Sequence, residues 1–128
     1  MSYLADSDWV ASYLNGRQNA IALLDALMPQ GLAISIITFG EIYEGIYYGR
    51  DAAAHEAAFL RFLTAVSVLG IDYETARTFA RLRGDLRARG LLIPQPDLLI
   101  AATALSYDLT LATRNLRHFN RIAGLKLL

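Results

Sequence analysis

The chain has 128 residues, of which 55% are hydrophobic and 19% charged. This composition predicts one folded domain spanning residues 1–128 and excludes intrinsic disorder. The absence of cysteine excludes a disulfide scaffold, a thiolate metal site and a cysteine nucleophile, and twelve basic side chains balanced by twelve acidic ones exclude a strongly basic coat protein for nucleic acid.

The first half of the chain predicts short strands between helices. Residues 3–5 form an apolar run that ends at Asp6, and Ser7 and Asp8 are capping residues for a helix that extends to Leu14. Asn15 and Gly16 end that helix. The next elements are a helix at 18–28, a β-branched strand at 32–37, and a helix that Thr38 caps, with Glu41 at capping-box distance.

The second half continues the alternation of helices and strands. Alanine-rich and amphipathic segments favour helices, and short β-branched runs favour strands. The predicted elements are a helix at 52–64, a strand at 67–71, a helix at 74–89, an extended turn at 94–96, a helix at 97–106, a strand at 109–112 and a possible fifth strand at 125–127.

This alternation indicates an α/β fold, a three-layer sandwich with a mainly parallel central sheet of four to five short strands. In such sheets, ligands bind outside the carboxyl ends of the strands. The start of the chain lacks the basic and apolar segments of a secretory signal, and no apolar run reaches the roughly 18–20 residues that a membrane span needs. We therefore expect a soluble, cytoplasmic protein without a membrane partner.

Three acidic residues follow the predicted strands or open the helices at that edge: Asp6, Glu41 and Asp97. Thr113 and Asn115 follow the fourth strand and add neutral oxygen atoms. Carboxylates gathered in one pocket repel one another unless a cation lies between them. Because the chain offers oxygen ligands and no cysteine, the pattern favours Mg²⁺ or Mn²⁺ over zinc.

Each acid also has a simpler interpretation. An Asp or Glu in the first turn of a helix is commonly a cap that interacts with the helix dipole. Asp6 is the exception, because it directly follows a buried strand and its burial without a partner would be costly. Asp8 and Glu44 are predicted to be solvated helix residues, although Glu44 lies one turn from Glu41 and is able to face the same pocket.

Two histidines offer a metal-free alternative for cleaving a phosphodiester. The sequence disfavours it, because His55 lies in an alanine-rich helix and His118 in a predicted loop with no evident orienting carboxylate. A cluster of tyrosines (Tyr43, Tyr47 and Tyr48) is predicted to belong to the core or to a dimer interface rather than to a surface that stacks on nucleotide bases.

Four segments of the chain resemble the PIN-domain ribonucleases, and among them the VapC-type toxins of bacterial toxin–antitoxin pairs. Residues 3–8 are similar to the family's opening strand and acidic motif, and residues 35–45 to its Ser/Thr-rich strand and second acid. Residues 96–104 match the segment with the third acid, and residues 109–115 match the final signature. The four segments occur in order and at the family's spacing.

The resemblance implies that Asp6, Glu41 and Asp97 are catalytic residues and ligands of Mg²⁺ or Mn²⁺, with Glu41 bound directly or through water. Asn115 would stand at or near the fourth, often acidic, position, with Thr113 beside it. The resemblance further implies RNA as the substrate, a homodimer, and a VapB-type antitoxin whose C-terminal segment occupies a groove leading to the site.

The chain departs from the family pattern at three places. Asp8 stands where Asn is usual, Gln95 and Pro96 replace a frequent Gly-Asp, and Asn115 leaves the fourth position uncharged. With one negative ligand fewer, a second metal ion would be bound weakly or only together with an RNA phosphate.

The charges of the chain are distributed unevenly. Residues 1–60 contain two basic and seven acidic side chains, whereas residues 61–128 contain ten basic and five acidic ones. Because the arginine guanidinium binds phosphate through two donors, Arg114 and Arg87 are candidate contacts to RNA phosphates.

Two other functional classes remain open. A non-catalytic binding module on the same fold would need none of this chemistry. A receiver-like domain that accepts a phosphoryl group is disfavoured, because it needs a lysine after the last strand and Lys126 is the only lysine, two residues from the end of the sequence.

Overall fold

The computed structural model, which describes all 128 residues, has a central sheet of four parallel strands. The strands lie in the order β3-β2-β1-β4. Their bounds are β1 Tyr3–Ala5, β2 Leu32–Ser35, β3 Ser67–Leu69 and β4 Thr110–Ala112. The predicted α/β class with a parallel sheet is confirmed.

Seven α-helices cover the two faces of this sheet. They are α1 Ser7–Leu14, α2 Gln18–Leu27, α3 Ile36–Tyr47, α4 Ala52–Leu63, α5 Tyr73–Ala88, α6 Gln95–Ser106 and α7 Leu116–Phe119, and a 3₁₀ turn spans Met28–Gln30. None of these helices has both the length and the apolar character needed to span a bilayer.

Alternate residues of β1 and β4 pack against different helices, which explains why these strands are mostly apolar. Leu4 and Leu111 belong to a core shared with α5, α6 and α7. Ala5 and Ala112, one residue further on, belong to a core shared with α1, α2, α3 and α4. Successive strand residues point to opposite faces, so a strand covered on both faces is apolar along most of its length. The result is a helix–sheet–helix sandwich.

Strand β1 lies between β2 and β4, and this order brings three strand ends together. Ala5 pairs with Ala112 of β4, and Leu4 pairs with Ala33 of β2. Because the strands are parallel, the residues that follow β1, β2 and β4 emerge at the same edge of the sheet. Asp6 and Thr113 both emerge there.

The second strand ends two residues before the predicted boundary. Ser35 is its last residue and also the N-cap of α3, because its hydroxyl accepts hydrogen bonds from the backbone N–H groups of Ile37 and Thr38. The prediction that Thr38 caps this helix is therefore wrong. Thr38 lies in the first turn and is fully buried, and Glu41 is not part of a capping box.

Other boundaries also differ from the prediction, and β3 ends at Leu69, two residues before the predicted end. Helix α1 begins at Ser7 with Asp6 as its N-cap, and α6 begins at Gln95 instead of Asp97, with Pro96 in its first turn. Proline is tolerated there because the first N–H groups of a helix have no partner within the helix. The possible fifth strand is reduced to a single bridge between Leu111 and Leu127.

Candidate active site

A pocket at the carboxyl edge of the sheet has only polar side chains in its lining. We call it the acidic pocket. Its lining residues are Asp6, Ser7, Asp8, Glu41, Asp97, Arg114 and Asn115. Four carboxylates and one guanidinium therefore face one another where the fold predicts a ligand. The pocket is assembled from segments at both ends and in the middle of the chain.

Asp6 is the most buried of the four carboxylates, with only 6% of the residue exposed. Its Oδ2 accepts a hydrogen bond of 2.7 Å from the Thr113 hydroxyl, and its Oδ1 accepts one of 2.8 Å from the backbone N–H of Ser7. Burial raises the pKa of Asp6 to about 6, because the charged form loses its hydration. The hydrogen bond from Thr113 opposes this rise, and the negative charges of Asp8 and Asp97 add to it.

Thr113 links Asp6 to the segment that follows β4. While its hydroxyl donates to Asp6, the same oxygen accepts a hydrogen bond of 2.9 Å from the backbone N–H of Asn115. Thr113 is itself buried. The hydroxyl is thus fixed by its acceptor on one side and its donor on the other, and it holds the Asp6 carboxylate in one orientation.

Glu41 lies on α3 and is oriented by the start of α1. The Ser7 hydroxyl donates a hydrogen bond of 2.6 Å to its Oε1, and the Ser7 oxygen lies 3.0 Å from the Thr38 hydroxyl. Because Ser7 has one hydroxyl proton and gives it to the carboxylate, Thr38 is the donor in the second contact. Glu41 is exposed, and its Oε2 remains free to accept a proton or a ligand.

Asp97 lies in the first turn of α6 and contacts two side chains from the C-terminal segment. Its Oδ2 is 2.7 Å from Nδ1 of His118 and 3.3 Å from Nδ2 of Asn115. The expectation that His118 has no orienting carboxylate is wrong: Asp97 is that partner. Sequence reasoning missed the pair because the two residues lie on α6 and α7, and α7 was predicted to be a loop.

Asp8 and Arg114 also line the acidic pocket, and they contact each other. Oδ2 of Asp8 accepts a hydrogen bond of 3.2 Å from the backbone N–H of Arg114. The Arg114 guanidinium lies 3.9 Å from the centroid of the Trp9 ring and donates a hydrogen bond of 2.8 Å to Ser12. Asp8 lies in the first turn of α1, as predicted, but it is half-buried and lines the pocket. Its position two residues after Asp6 was the signal for this second role.

Comparison with known proteins assigns the chain to a family. The family model of the PIN domain matches residues 3–125. The chain is also 32% identical, over 126 residues, to ribonuclease VapC2 of Haemophilus influenzae, an alignment that covers 98% of this chain and 96% of that protein. This chain belongs to the VapC family of PIN-domain proteins.

Two further relatives agree with this assignment of the PIN domain. Ribonuclease VapC1 of Methanocaldococcus jannaschii is 36% identical over 99 residues, which is 76% of this chain and 70% of that protein. The crystal structure of VapBC2 from Rickettsia felis bound to a promoter DNA fragment superimposes with a TM-score of 0.93 at 26% identity, covering 100% of this chain and 98% of that one.

Several predicted residues of the PIN domain lie outside the acidic pocket. Arg87 is exposed on the last turn of α5. His55 lines a separate cavity between α1, α3 and α4 that shares only Glu41 with the acidic pocket. Glu44 lies on the exposed side of α3, in an open depression that Tyr47 and Tyr48 also line.

The three tyrosines of α3 and its C-cap, Tyr43, Tyr47 and Tyr48, divide between the edge of the core and the surface. Tyr43 is partly buried and packs against Phe39 and Phe59 at the edge of one of the two cores. Tyr47 and Tyr48 are largely exposed and do not belong to the core.

Lys126 of this PIN domain lies away from the acidic pocket. It forms an ion pair of 3.0 Å with Asp108, which precedes β4. The acidic pocket lies beyond the other end of that strand. The structure therefore lacks the lysine–aspartate arrangement that a receiver-like domain requires.

The donor atoms of the acidic pocket fit a hard divalent cation, although they do not form a closed cage. No group of three or more acidic, histidine or cysteine side chains is close enough to enclose an ion. Mg²⁺ is commonly held by one or two carboxylates, and retained water and substrate phosphate complete its coordination. Carboxylate and amide oxygens in an open pocket match that mode of binding.

Proposed function

We propose that this chain is a metal-dependent endoribonuclease that acts as the toxin of a VapBC-type toxin–antitoxin pair, with Mg²⁺ or Mn²⁺ as its cofactor. The observation that carries the proposal is the acidic pocket: four carboxylates at the ligand-binding edge of a VapC-family fold. One of them, Asp6, is so buried that its charged form is disfavoured. Such a site is stabilised by a divalent cation and by RNA phosphate bound to it.

In this proposal Asp6 and Asp97 hold the ion, Glu41 contacts it directly or through water, and Asn115 and Thr113 support these ligands. A bound Mg²⁺ or Mn²⁺ lowers the pKa of water and offsets charge on the phosphoryl oxygens. The free Oε2 of Glu41 is the group best placed to accept a proton from the attacking water, since Ser7 already occupies Oε1. As water adds to phosphorus, the bond to the leaving ribose oxygen breaks, and that oxygen takes up a proton from solvent while Glu41 returns its proton to solvent.

A matched pair of substitutions on α3 tests the proposal. Glu41 lines the acidic pocket, whereas Glu44, one turn further on, does not. We expect Glu41→Gln to lower the rate of Mn²⁺-dependent RNA cleavage by about 100-fold or more and Glu44→Gln to leave it unchanged, measured by gel analysis of a defined RNA. Cleavage by the wild type in excess EDTA, or equal activity of both variants, would overturn the proposal and leave a non-catalytic binding module as the alternative.

Arg114 is proposed to bind a phosphate of the RNA next to the cleaved bond. Its contacts with Trp9 and Ser12 hold the guanidinium at the mouth of the pocket, so little side-chain entropy is lost when RNA binds. A hydrogen bond to a charged group contributes about 1.5–3 kcal/mol. Arg87, exposed on α5, is proposed to contact a phosphate further along the RNA strand.

Replacing Arg114 is expected to weaken RNA binding. Arg114→Gln should raise KM about tenfold with little change in kcat, because a flanking phosphate is bound equally in the ground state and the transition state. Steady-state kinetics at two salt concentrations provide the measurement, and the mutant should show the weaker salt dependence. Arg61→Gln, at a separate cavity, is the control; an unchanged KM for Arg114→Gln would exclude the contact.

The proposed partners are RNA, a VapB-type antitoxin and a second copy of the chain. The cavity between α1, α3 and α4, which His55 lines, adjoins the acidic pocket at Glu41. It has apolar walls, including Ile42 and Ile46, and a basic residue, Arg50. We assign it to the C-terminal segment of the antitoxin. The exposed apolar side chains at the ends of α3, Ile36 and Tyr47, support a homodimer.

A further inference from the structure

His118 has no role in the proposed reaction, yet it makes the shortest side-chain contact to Asp97. Its Nδ1 lies 2.7 Å from Oδ2 of Asp97. The two side chains are only 29% and 21% exposed, so water competes weakly for the contact. Asn115 Nδ2 approaches the same Asp97 oxygen at 3.3 Å.

The Asp97 carboxylate determines which ring nitrogen of His118 carries the proton. A carboxylate oxygen only accepts hydrogen bonds, so the Nδ1 atom that faces it must carry the proton. A protonated Nδ1 cannot accept a hydrogen bond, and the Nδ2 group of Asn115, although 2.8 Å from Nδ1, therefore donates to Asp97. Oδ2 of Asp97 thus receives two donors. Oδ1 of Asp97 makes no hydrogen bond and remains available to a ligand in the pocket.

The segment that carries His118 is tied to the loop before Asp97 by other contacts. The guanidinium of Arg121 donates hydrogen bonds to the backbone carbonyls of Leu91 and Leu92 at 3.3 Å and 3.1 Å. Arg89, from the end of α5, donates one of 3.0 Å to the carbonyl of Arg121. Together with the fully buried Phe119 on α7, these contacts fix the imidazole relative to the start of α6.

We propose that His118 is a positioning residue that orients Asp97 for the divalent cation: by donating from Nδ1 to Oδ2, it directs Oδ1 into the acidic pocket. The inference rests on the proposed function. Groups that orient a metal ligand typically change metal affinity about 10–100-fold when they are removed. The effect arises because a freely rotating carboxylate loses rotamer freedom when the ion binds.

Two isosteric substitutions separate this role from simple packing. The amide nitrogen of Asn occupies nearly the position of histidine Nδ1, whereas the amide of Gln reaches the position of Nε2. Gln preserves more of the imidazole volume than Asn does. A packing role therefore favours His118→Gln, and a donor role at Nδ1 favours His118→Asn.

The experiment measures Mn²⁺ affinity by calorimetry in the full chain, with melting in EDTA as the check on folding. We expect His118→Asn to bind Mn²⁺ within about threefold of the wild type and His118→Gln about 10-fold or more weakly. In the metal-free wild type, ¹⁵N spectra of the imidazole should show the proton on Nδ1, and Asp97→Asn should reduce that tautomer.

Three results overturn the inference: equal Mn²⁺ affinity for wild type and His118→Gln, weaker binding by the Asn variant than by the Gln variant, or a wild-type proton mainly on Nε2. Each of these is readable in a wild type that binds Mn²⁺ and cleaves RNA, so the proposed function survives it. A wild type that neither binds Mn²⁺ nor cleaves RNA refutes the proposed function instead, and the positioning role with it.

Discussion

Asp6→Asn is expected to abolish RNA cleavage and, at neutral pH, to make the metal-free protein more stable. The loss of activity should be about 1000-fold or more, because the variant removes the charge of the most buried proposed ligand. The gain in stability has a different cause. The fold holds the Asp6 carboxylate at 6% exposure, and an amide of the same shape carries no charge that must be desolvated. The amide has only one acceptor oxygen, so it loses one of the two hydrogen bonds that Thr113 and the Ser7 N–H donate to Asp6, and this loss offsets part of the gain.

The direction of the pH dependence follows from the raised pKa. The usual pKa of 3.8 applies to the unfolded chain, and the folded chain raises it to about 6. Protonated Asp6 therefore contributes stability that is fully present below about pH 4 and is lost as the pH rises through 6. The shift corresponds to at most about 3 kcal/mol. Asp6→Asn should avoid this loss and, after the lost hydrogen bond is subtracted, melt about 2–5 °C higher at pH 8 in EDTA.

Thermal melts at pH 4 and pH 8, each with EDTA and with Mn²⁺, provide the measurement. Mn²⁺ should raise the melting temperature of the wild type, because it binds the folded state, and should have little effect on Asp6→Asn. Asp108→Asn is the matched control: Asp108 is exposed, and its φ of 54° is one that Asn also adopts. Lower stability of Asp6→Asn than of the wild type at pH 8 in EDTA would contradict the burial argument.

The architecture was predictable because it is determined by local patterns. Strands covered on both faces are mostly apolar, and this tendency is visible at residues 3–5 and 109–112 without knowledge of the fold. The rule that ligands lie at the carboxyl ends of parallel strands then selected Asp6, Glu41 and Asp97. All three line the acidic pocket.

The contacts inside the site were not predictable, because they depend on which segments become neighbours in three dimensions. His118 and Asp97 are separated by α6 and β4 along the chain, and nothing in the local sequence indicates their contact at 2.7 Å. The prediction of the N-cap of α3 was wrong for a related reason. Ser35 and Thr38 are both capping residues, and the choice of Ser35 depends on where the sheet ends.

The same limit applies to the arginines. The uneven distribution of charge and the chemistry of the guanidinium selected both Arg114 and Arg87 as candidate phosphate contacts. The backbone after β4 turns Arg114 toward Trp9 at the pocket, whereas Arg87 lies on an exposed face of α5. Arginine content therefore indicates candidates for phosphate binding but not where each guanidinium lies, because the direction of each side chain depends on the element that carries it.

Thr113→Val is expected to give the largest loss of stability among the polar substitutions at the site. Valine has the shape of threonine but can neither donate to Asp6 nor accept from the backbone N–H of Asn115. Both lost partners lie in a region where water does not easily replace them, since Thr113 is 4% exposed. We expect the free energy of unfolding to fall by about 2–4 kcal/mol at pH 8.

The loss should itself depend on pH, because the Thr113 hydrogen bond lowers the pKa of Asp6 against the effect of burial. Without the bond, that pKa rises further, so Thr113→Val should be more destabilising at pH 8, where Asp6 is charged, than at pH 4. Urea unfolding at both pH values provides the measurement. Thr113→Ser retains the hydroxyl and should recover most of the difference, and it should also retain Mn²⁺ binding. An equal loss at both pH values would mean that the hydroxyl does not favour the charged form of Asp6, and the loss would then come from the missing acceptor for the Asn115 N–H.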